Sequence, residues 1–88
     1  MINLSLKEKH FISTAILLKK RSDEYIDPSH LEFINDIEED IKKEIILLSR
    51  TQIDVIVYYL EMLTDTEEYD QKEVSVLQHK LNLLSDLP

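Results

Sequence analysis

The 88-residue sequence predicts an all-α protein: a small antiparallel bundle of three or four helices that pairs into a dimer. Glycine is absent and proline occurs only twice, which disfavours the tight turns of β-hairpins. Apolar residues recur at helical spacing along most of the chain, and capping patterns precede these stretches. The length suits one domain, so residues 1–88 are expected to form a single helical-bundle domain.

The first helix is predicted from Ser5 to about Arg21. Ser5 and Glu8 fit the S-x-x-E capping box. Its apolar face is made by Leu4, Phe11, Ile12, Ala15, Ile16 and Leu18. Basic residues 19–21 fall in the last turn, where cations complement the helix dipole.

The second helix is predicted to begin at Asp27 and Pro28, which suit the N-cap and the first helical position. Ile26 and Leu31 fit a hydrophobic staple around this start. The helix is expected to continue to about Ser49. Its core stripe is Leu31, Ile34, Ile41, Ile45 and Leu48, with Ile37 at the margin.

The third helix is predicted to start near Ser49–Thr51, capped either by Ser49 with Gln52 or by Thr51 with Asp54. No glycine or proline separates it from the second helix, so one continuous helix stays open. One face consists of Ile53, Ile56, Leu60 and Leu63. A strand over 53–59 fits its residue types, but no second strand is available to pair with it.

The fourth helix is predicted to start between Asp65 and Asp70, with Asp65 or Thr66 as its cap, and to end near Leu84. Its core stripe is Val74, Leu77, Leu81 and Leu84, and Tyr69, Val76 and Leu83 form a second stripe. The third helix is apolar nearly all round and the fourth has two apolar stripes. Both therefore carry more apolar surface than the core of a small bundle can bury. Self-association is therefore predicted through Tyr58, Tyr59, Met62, Val76 and Leu83.

No catalytic, metal or cofactor chemistry is predicted. Cysteine is absent, which excludes disulfides and thiolate ligands. His10, His30 and His79 lack the carboxylate and histidine spacings of helical metal sites. Glycine-rich phosphate loops and the G-x-S-x-G elbow require a residue that the chain does not contain. The protein is therefore expected not to be an enzyme.

The formal net charge of −8 is unevenly distributed. Residues 1–21 carry five basic groups and one acid, whereas residues 22–88 carry five basic groups and seventeen acids. Residues 23–40 contain eight carboxylates and no lysine or arginine. Lysines one turn on are expected to pair with Glu38 and Glu39, namely Lys42 and Lys43. The acids left to bind a basic protein are Asp23, Glu24, Glu32, Asp36 and Asp40.

The sequence thus favours a small acidic interaction protein: a regulator, inhibitor or immunity-type binder of a basic partner. A nucleic-acid-associated regulator would use the basic strip of the first helix, Lys9, Lys20 and Arg21. A helix-turn-helix is disfavoured because residues 51–63 contain no lysine or arginine. A structural or assembly subunit is the third possibility.

Localisation is expected to be cytoplasmic, because the sequence has no secretory signal and no apolar run long enough to span a bilayer. Isoleucine and leucine are abundant, while alanine occurs once. This bias is typical of an AT-rich genome and suggests a bacterial or phage origin.

Overall fold

The computed structural model describes residues 2–22, 25–65 and 68–85, and these residues form four α-helices and no β-strand. The helices are α1 (Leu6–Arg21), α2 (Pro28–Asp40), α3 (Arg50–Thr64) and α4 (Gln71–Ser85). Helix α3 packs against both α1 and α4, and α1 also contacts α2. The radius of gyration, 12.5 Å, is close to the about 12 Å expected of a compact chain of this length. The predicted all-α class is confirmed.

Two helices begin with a complete capping box. In α1, Ser5 Oγ accepts from Glu8 N at 3.1 Å, and Ser5 N donates to Glu8 Oε1 at 2.8 Å. The same reciprocal pair joins Ser49 and Gln52 at the start of α3, with the same two distances. Of the two caps predicted for this helix, Ser49 is therefore the one that is used, and Thr51 lies inside the first turn.

Helix α2 begins where the sequence predicts. Asp27 is the N-cap, and its Oδ1 accepts a hydrogen bond from Ser29 N at 2.9 Å. Pro28 follows at the first helical position, where its missing N–H costs nothing. Ile26 packs against the core, whereas Leu31 is 37% exposed. Leu31 therefore does not belong to the core stripe, and Ile37, which was expected at its margin, is fully buried.

The prediction that this helix runs to about Ser49 is wrong, because α2 ends at Asp40. Four acids lie in its last five residues, where negative charge opposes the helix dipole. Ile41 closes the helix in ordinary right-handed geometry. Helices α2 and α3 are therefore separate, joined by residues 41–49.

The connection between α2 and α3 has its own anchor in the core. Ile2 N donates to Ile46 O at 3.0 Å, which forms an isolated antiparallel bridge. Ile46 is 3% exposed and Ile2 8%. Ile45, predicted to be in the core stripe, is 60% exposed because the chain is no longer helical there. Burial of Ile46 and its bridge thus replace the predicted last turns of the helix.

The start of α4 differs from the prediction in its cap. Asp65 is the residue that closes α3, so it cannot open the next helix. Asp70 has the N-cap role instead, since its Oδ1 accepts from Lys72 N at 2.9 Å and its carbonyl accepts from Val74 N. The alternative cap, Thr66, lies outside the described residues.

The core lies between α1, α3 and α4, with contributions from α2 and from the two bridged segments. Its fully buried large side chains are Ile12, Ile16, Ile34, Ile37, Ile41, Ile56, Leu60, Leu63, Val74, Leu77 and Leu81. One buried polar side chain, Gln78, ties α4 to α3: its Nε2 donates to Val57 O at 3.1 Å and to Glu61 Oε1 at 2.8 Å. The predicted apolar faces of α3 and α4 are the ones that face this core.

Candidate interaction surfaces

The outer side of α2 is an open acidic face, which we define as Glu32 and Asp36. Both side chains are exposed. Neither forms an ion pair with another residue in the described part of the chain. They lie four residues apart and therefore one turn apart on the same side of the helix. These two of the five predicted partner-binding acids retain charges directed to solvent.

Asp40, a third predicted partner-binding acid, is engaged within the molecule. Its Oδ1 accepts from Lys43 Nζ at 2.8 Å, and its Oδ2 accepts from Gln52 Nε2 at 3.0 Å. The hydrogen bonds from Lys43 and Gln52 hold the pKa of Asp40 below its usual range. Its carboxylate therefore links the end of α2 to the start of α3. The other two predicted acids, Asp23 and Glu24, lie outside the described residues.

Ion pairing along α2 differs from the i,i+4 pattern that the sequence suggests. Glu38 pairs with Lys20 of α1 instead of Lys42. Lys43 pairs with Asp40 and not with Glu39, because the helix has already ended. The Glu38–Lys20 pair bridges α1 and α2, which otherwise have few contacts.

The basic strip proposed for nucleic-acid binding is partly neutralised by this arrangement. Lys20 Nζ also donates to Asn35 Oδ1 at 2.7 Å, so its charge faces α2. Arg21 is exposed and Lys9 is half-buried. Binding of a phosphate backbone is driven by cationic side chains. Because Lys20 is engaged with α2, it contributes less positive charge to the surface of α1.

The predicted self-association residues do not form one surface. Tyr59 is 3% exposed and belongs to the core, and Met62 packs partly against it. Tyr58, Val76 and Leu83 are 69%, 63% and 56% exposed. Tyr58 lines one groove, while Val76 and Leu83 line another that shares no residue with it.

The second groove, of about 590 Å³, runs along α4 beside the N-terminal segment. Its apolar wall is formed by Val76, Leu83 and Leu84. Lys80 lies between these residues and the N-terminal segment, donating to Asn3 O and to Glu8 Oε1 at 3.0 Å. We call this surface the α4 groove.

A third surface, which the sequence did not predict, is a cleft of about 420 Å³ between α1, α2, α3 and residues 25–27. We call it the tyrosine cleft. Two exposed phenol rings lie at it, Tyr25 at 84% and Tyr58 at 69% exposure. Its lining comprises Lys19, Tyr25, Ile26, Asp27, His30, Thr51, Asp54, Val55, Tyr58 and Tyr59.

The inner wall of the tyrosine cleft is fixed by packed aromatic rings. Tyr59 lies 6.2 Å from His30 in an edge-to-face arrangement and 6.0 Å from Tyr58, measured between ring centroids. His30 Nε2 and the Tyr59 hydroxyl share a hydrogen bond. Burial raises the pKa of the Tyr59 phenol. The ring of Phe33 is stacked on that of His30, with 6.1 Å between the ring centroids.

The sequence does not reveal this cleft, because the cleft depends on the contact between His30 of α2 and Tyr59 of α3. His30 is in the first turn of α2, and Tyr59 is 29 residues further along the chain. The signal that was available lies on α3, where Asp54 and Tyr58 are one turn apart and both point outward. An exposed aromatic residue beside an exposed acid on a largely apolar helix indicates a candidate binding surface, because burial in the core does not account for the aromatic side chain.

In the ranges 2–22, 25–65 and 68–85, no three histidine or acidic side chains converge in a way that could hold a metal ion. No helix within these ranges is long and apolar enough to cross a membrane. Comparison of the chain with protein families, with characterised proteins and with solved structures reveals no significant match.

Proposed function

We propose that the protein is a small, acidic, non-enzymatic interaction module that regulates or inhibits a partner with a basic surface. The observation that carries this proposal is the acidic face of α2. Glu32 and Asp36 are exposed and make no ion pair with any other described residue. Nearby acids that stabilise the fold, Glu38 and Asp40, do have cationic partners. The proposal thus rests on two exposed acids of α2 that form no ion pair with the described residues.

The proposed mechanism is occlusion of the partner's basic surface. The net charge of −8 would accelerate encounter with a cationic protein, and this attraction acts over about 10 Å at 0.1 M salt. Exposed aromatic and apolar residues near the contact would then slow dissociation, since such side chains carry most of the binding energy in interfaces. The acidic face supplies orientation and rate, and apolar contacts supply residence time.

We further propose that the four helices act as a bundle that self-associates through the α4 groove. Val76 and Leu83 are exposed on α4, one heptad apart. A second copy that covers them would remove apolar surface from water, and a chain of this size gains stability from such burial. Tyr58 lies in a different groove and is left free for the partner in this arrangement.

Affinity capture with matched charge variants tests the proposed function. Immobilised wild-type protein is compared with E32K/D36K, and with the control E44K/E68K, which makes the same change in net charge at two other exposed acids. We expect a basic host protein to be retained by the wild type and the control and to be lost from E32K/D36K. Equal retention by both variants would contradict a role for the acidic face.

A further inference from the structure

The tyrosine cleft has a composition that suits one particular kind of side chain. Its opening carries two exposed phenol rings, Tyr25 and Tyr58. Two carboxylates, Asp27 and Asp54, lie in the same lining. Aromatic faces attract cations, and carboxylates bind the planar guanidinium group with two parallel hydrogen bonds. Rings and carboxylates around one concave site are thus the complement of an arginine side chain.

We propose that the tyrosine cleft binds an arginine side chain of the basic partner. This inference rests on the proposed function, because it names the side chain by which that partner is anchored. Arginine is favoured over lysine because its flat, weakly hydrated cation stacks on tyrosine and meets a carboxylate in a fixed geometry. The apolar residues Ile26 and Val55 in the lining provide contact for its aliphatic stem.

The inner wall of the cleft is preformed, which reduces the cost of binding. The Tyr59 ring is held by its hydrogen bond to His30 and by contact with Tyr58. One oxygen of Asp27, Oδ1, is held by the hydrogen bond from Ser29 N at the start of α2. Side chains that are already fixed lose little conformational freedom when a ligand arrives.

Lys19 also lines the cleft, so a substitution that removes its positive charge can show whether the occupant is a cation or an anion. Burial raises the pKa of the Tyr59 phenol, and the positive charge of Lys19 acts in the opposite direction, so this charge affects a group in the cleft lining. If the occupant is a cation, K19Q strengthens binding, whereas an anionic occupant such as phosphate would be bound less tightly by this variant. The charge preference of the site is therefore decided by one substitution at the cleft itself.

The test is a nuclear magnetic resonance titration of the full chain with N-acetyl-arginine amide. N-acetyl-citrulline amide, which has the same shape without the charge, and inorganic phosphate are the comparison probes. We expect shifts confined to amides around Ile26, Asp54 and Tyr58, with roughly millimolar affinity for so small a ligand. D54N and Y58A should each weaken this binding about threefold to tenfold, and K19Q should strengthen it about twofold.

The matched control is E44Q, which removes an exposed acid outside both the cleft and the acidic face and should leave the affinity for the arginine probe unchanged. Both D54N and Y58A alter exposed side chains, so unchanged spectra elsewhere will show that they fold. Equal shifts with the citrulline probe, or shifts with phosphate alone, would overturn the proposal. So would an equal loss of affinity in E44Q, because the attraction to the arginine probe would then be a general effect of the net charge.

Failure of the cleft and failure of the proposed function give different results with the purified partner. If E32K/D36K weakens the complex and D54N/Y58A does not, the acidic face is the binding surface and the arginine site is refuted. If neither double variant weakens it, the proposed function fails together with the cleft. If both weaken it, with the arginine probe bound as described, both are supported.

Discussion

At the scale of single residues, the charges divide into those that hold the fold and those that do not. Glu8 illustrates the first group: it completes the capping box of α1 and accepts from Lys80 Nζ of α4. Burial acts to raise the pKa of the Glu8 carboxyl, but hydrogen bonds from Ser5 and Lys80 outweigh it and the pKa is lowered. Glu32 and Asp36 illustrate the second group.

The lowered pKa of Glu8 predicts a loss of stability in acid. A carboxyl whose pKa is lower in the folded state stabilises that state fully above its unfolded pKa of about 4.3, and the contribution disappears as the pH falls through the folded value. We expect E8Q to lower the free energy of unfolding by about 0.5–1 kcal/mol at neutral pH and to flatten its decrease below about pH 5. Urea unfolding of both proteins between about pH 3 and pH 7 measures this. An unchanged pH profile in E8Q would refute the role assigned to Glu8.

Core residues predict a much larger effect. Leu60 of α3 is fully buried between the helices, whereas Leu47 in the connection is 68% exposed. We expect L60A to cost about 2–5 kcal/mol of unfolding free energy and L47A about 0.5 kcal/mol or less. Thermal or urea denaturation compares the two. Similar losses in both variants would mean that Leu47 is buried against something, such as a second copy of the chain.

At the scale of helices, the caps of α1, α2 and α3 and the ends of α1 and α4 were predicted correctly, whereas the end of α2 and the cap of α4 were not. The residues that open α1, α2 and α3 carry the information locally, because each cap bonds to an N–H two or three residues on. The end of α2 at Asp40 has no such marker, since neither glycine nor proline follows it. It depends on Ile46 reaching Ile2, which is distant in sequence. Periodicity alone continued the helix because Ile41 and Ile45 kept the spacing.

The choice between two caps for α3 gives a prediction at this scale. Ser49 Oγ accepts from Gln52 N, while Thr51 lies inside the first turn. We expect S49A to lower the free energy of unfolding by about 1 kcal/mol and T51A to change it by less than about 0.5 kcal/mol. Chemical denaturation of the two single variants makes the comparison. A larger loss in T51A would place the helix start two residues later.

The candidate sites also differ in whether they depend on local sequence patterns or on contacts between residues distant in sequence. The exposure of Glu32 and Asp36 follows from the pattern of α2 and could be predicted from the sequence. That Asp40 is used internally depends on Lys43 and Gln52, which meet it only because the helix ends. The tyrosine cleft depends on the contact between His30 of α2 and Tyr59 of α3, and helical periodicity contains no information about which residues of different helices meet.

At the scale of the whole molecule, the α4 groove predicts self-association. We expect sedimentation equilibrium of the wild type at roughly 50 μM to give a mass well above the 10.4 kDa of one chain. V76K/L83K should lower the measured mass to that of the monomer, because the charged side chains at both positions would lose their hydration in the contact. The control Y58A, in the other groove, should leave the mass unchanged. A monomeric wild type would contradict this part of the proposal.

We propose that the acidic face of α2 binds a basic protein, and the salt dependence of that complex tests this proposal. The dissociation constant of the purified partner is determined for the wild type, E32K/D36K and E44K/E68K at about 50 mM and about 300 mM salt. We expect salt to weaken the wild-type complex strongly, and E32K/D36K to bind about tenfold or more weakly at low salt with a much smaller salt effect. E44K/E68K should remain close to the wild type. Equal affinities and equal salt effects in E32K/D36K and the wild type would contradict a role for the acidic face in binding.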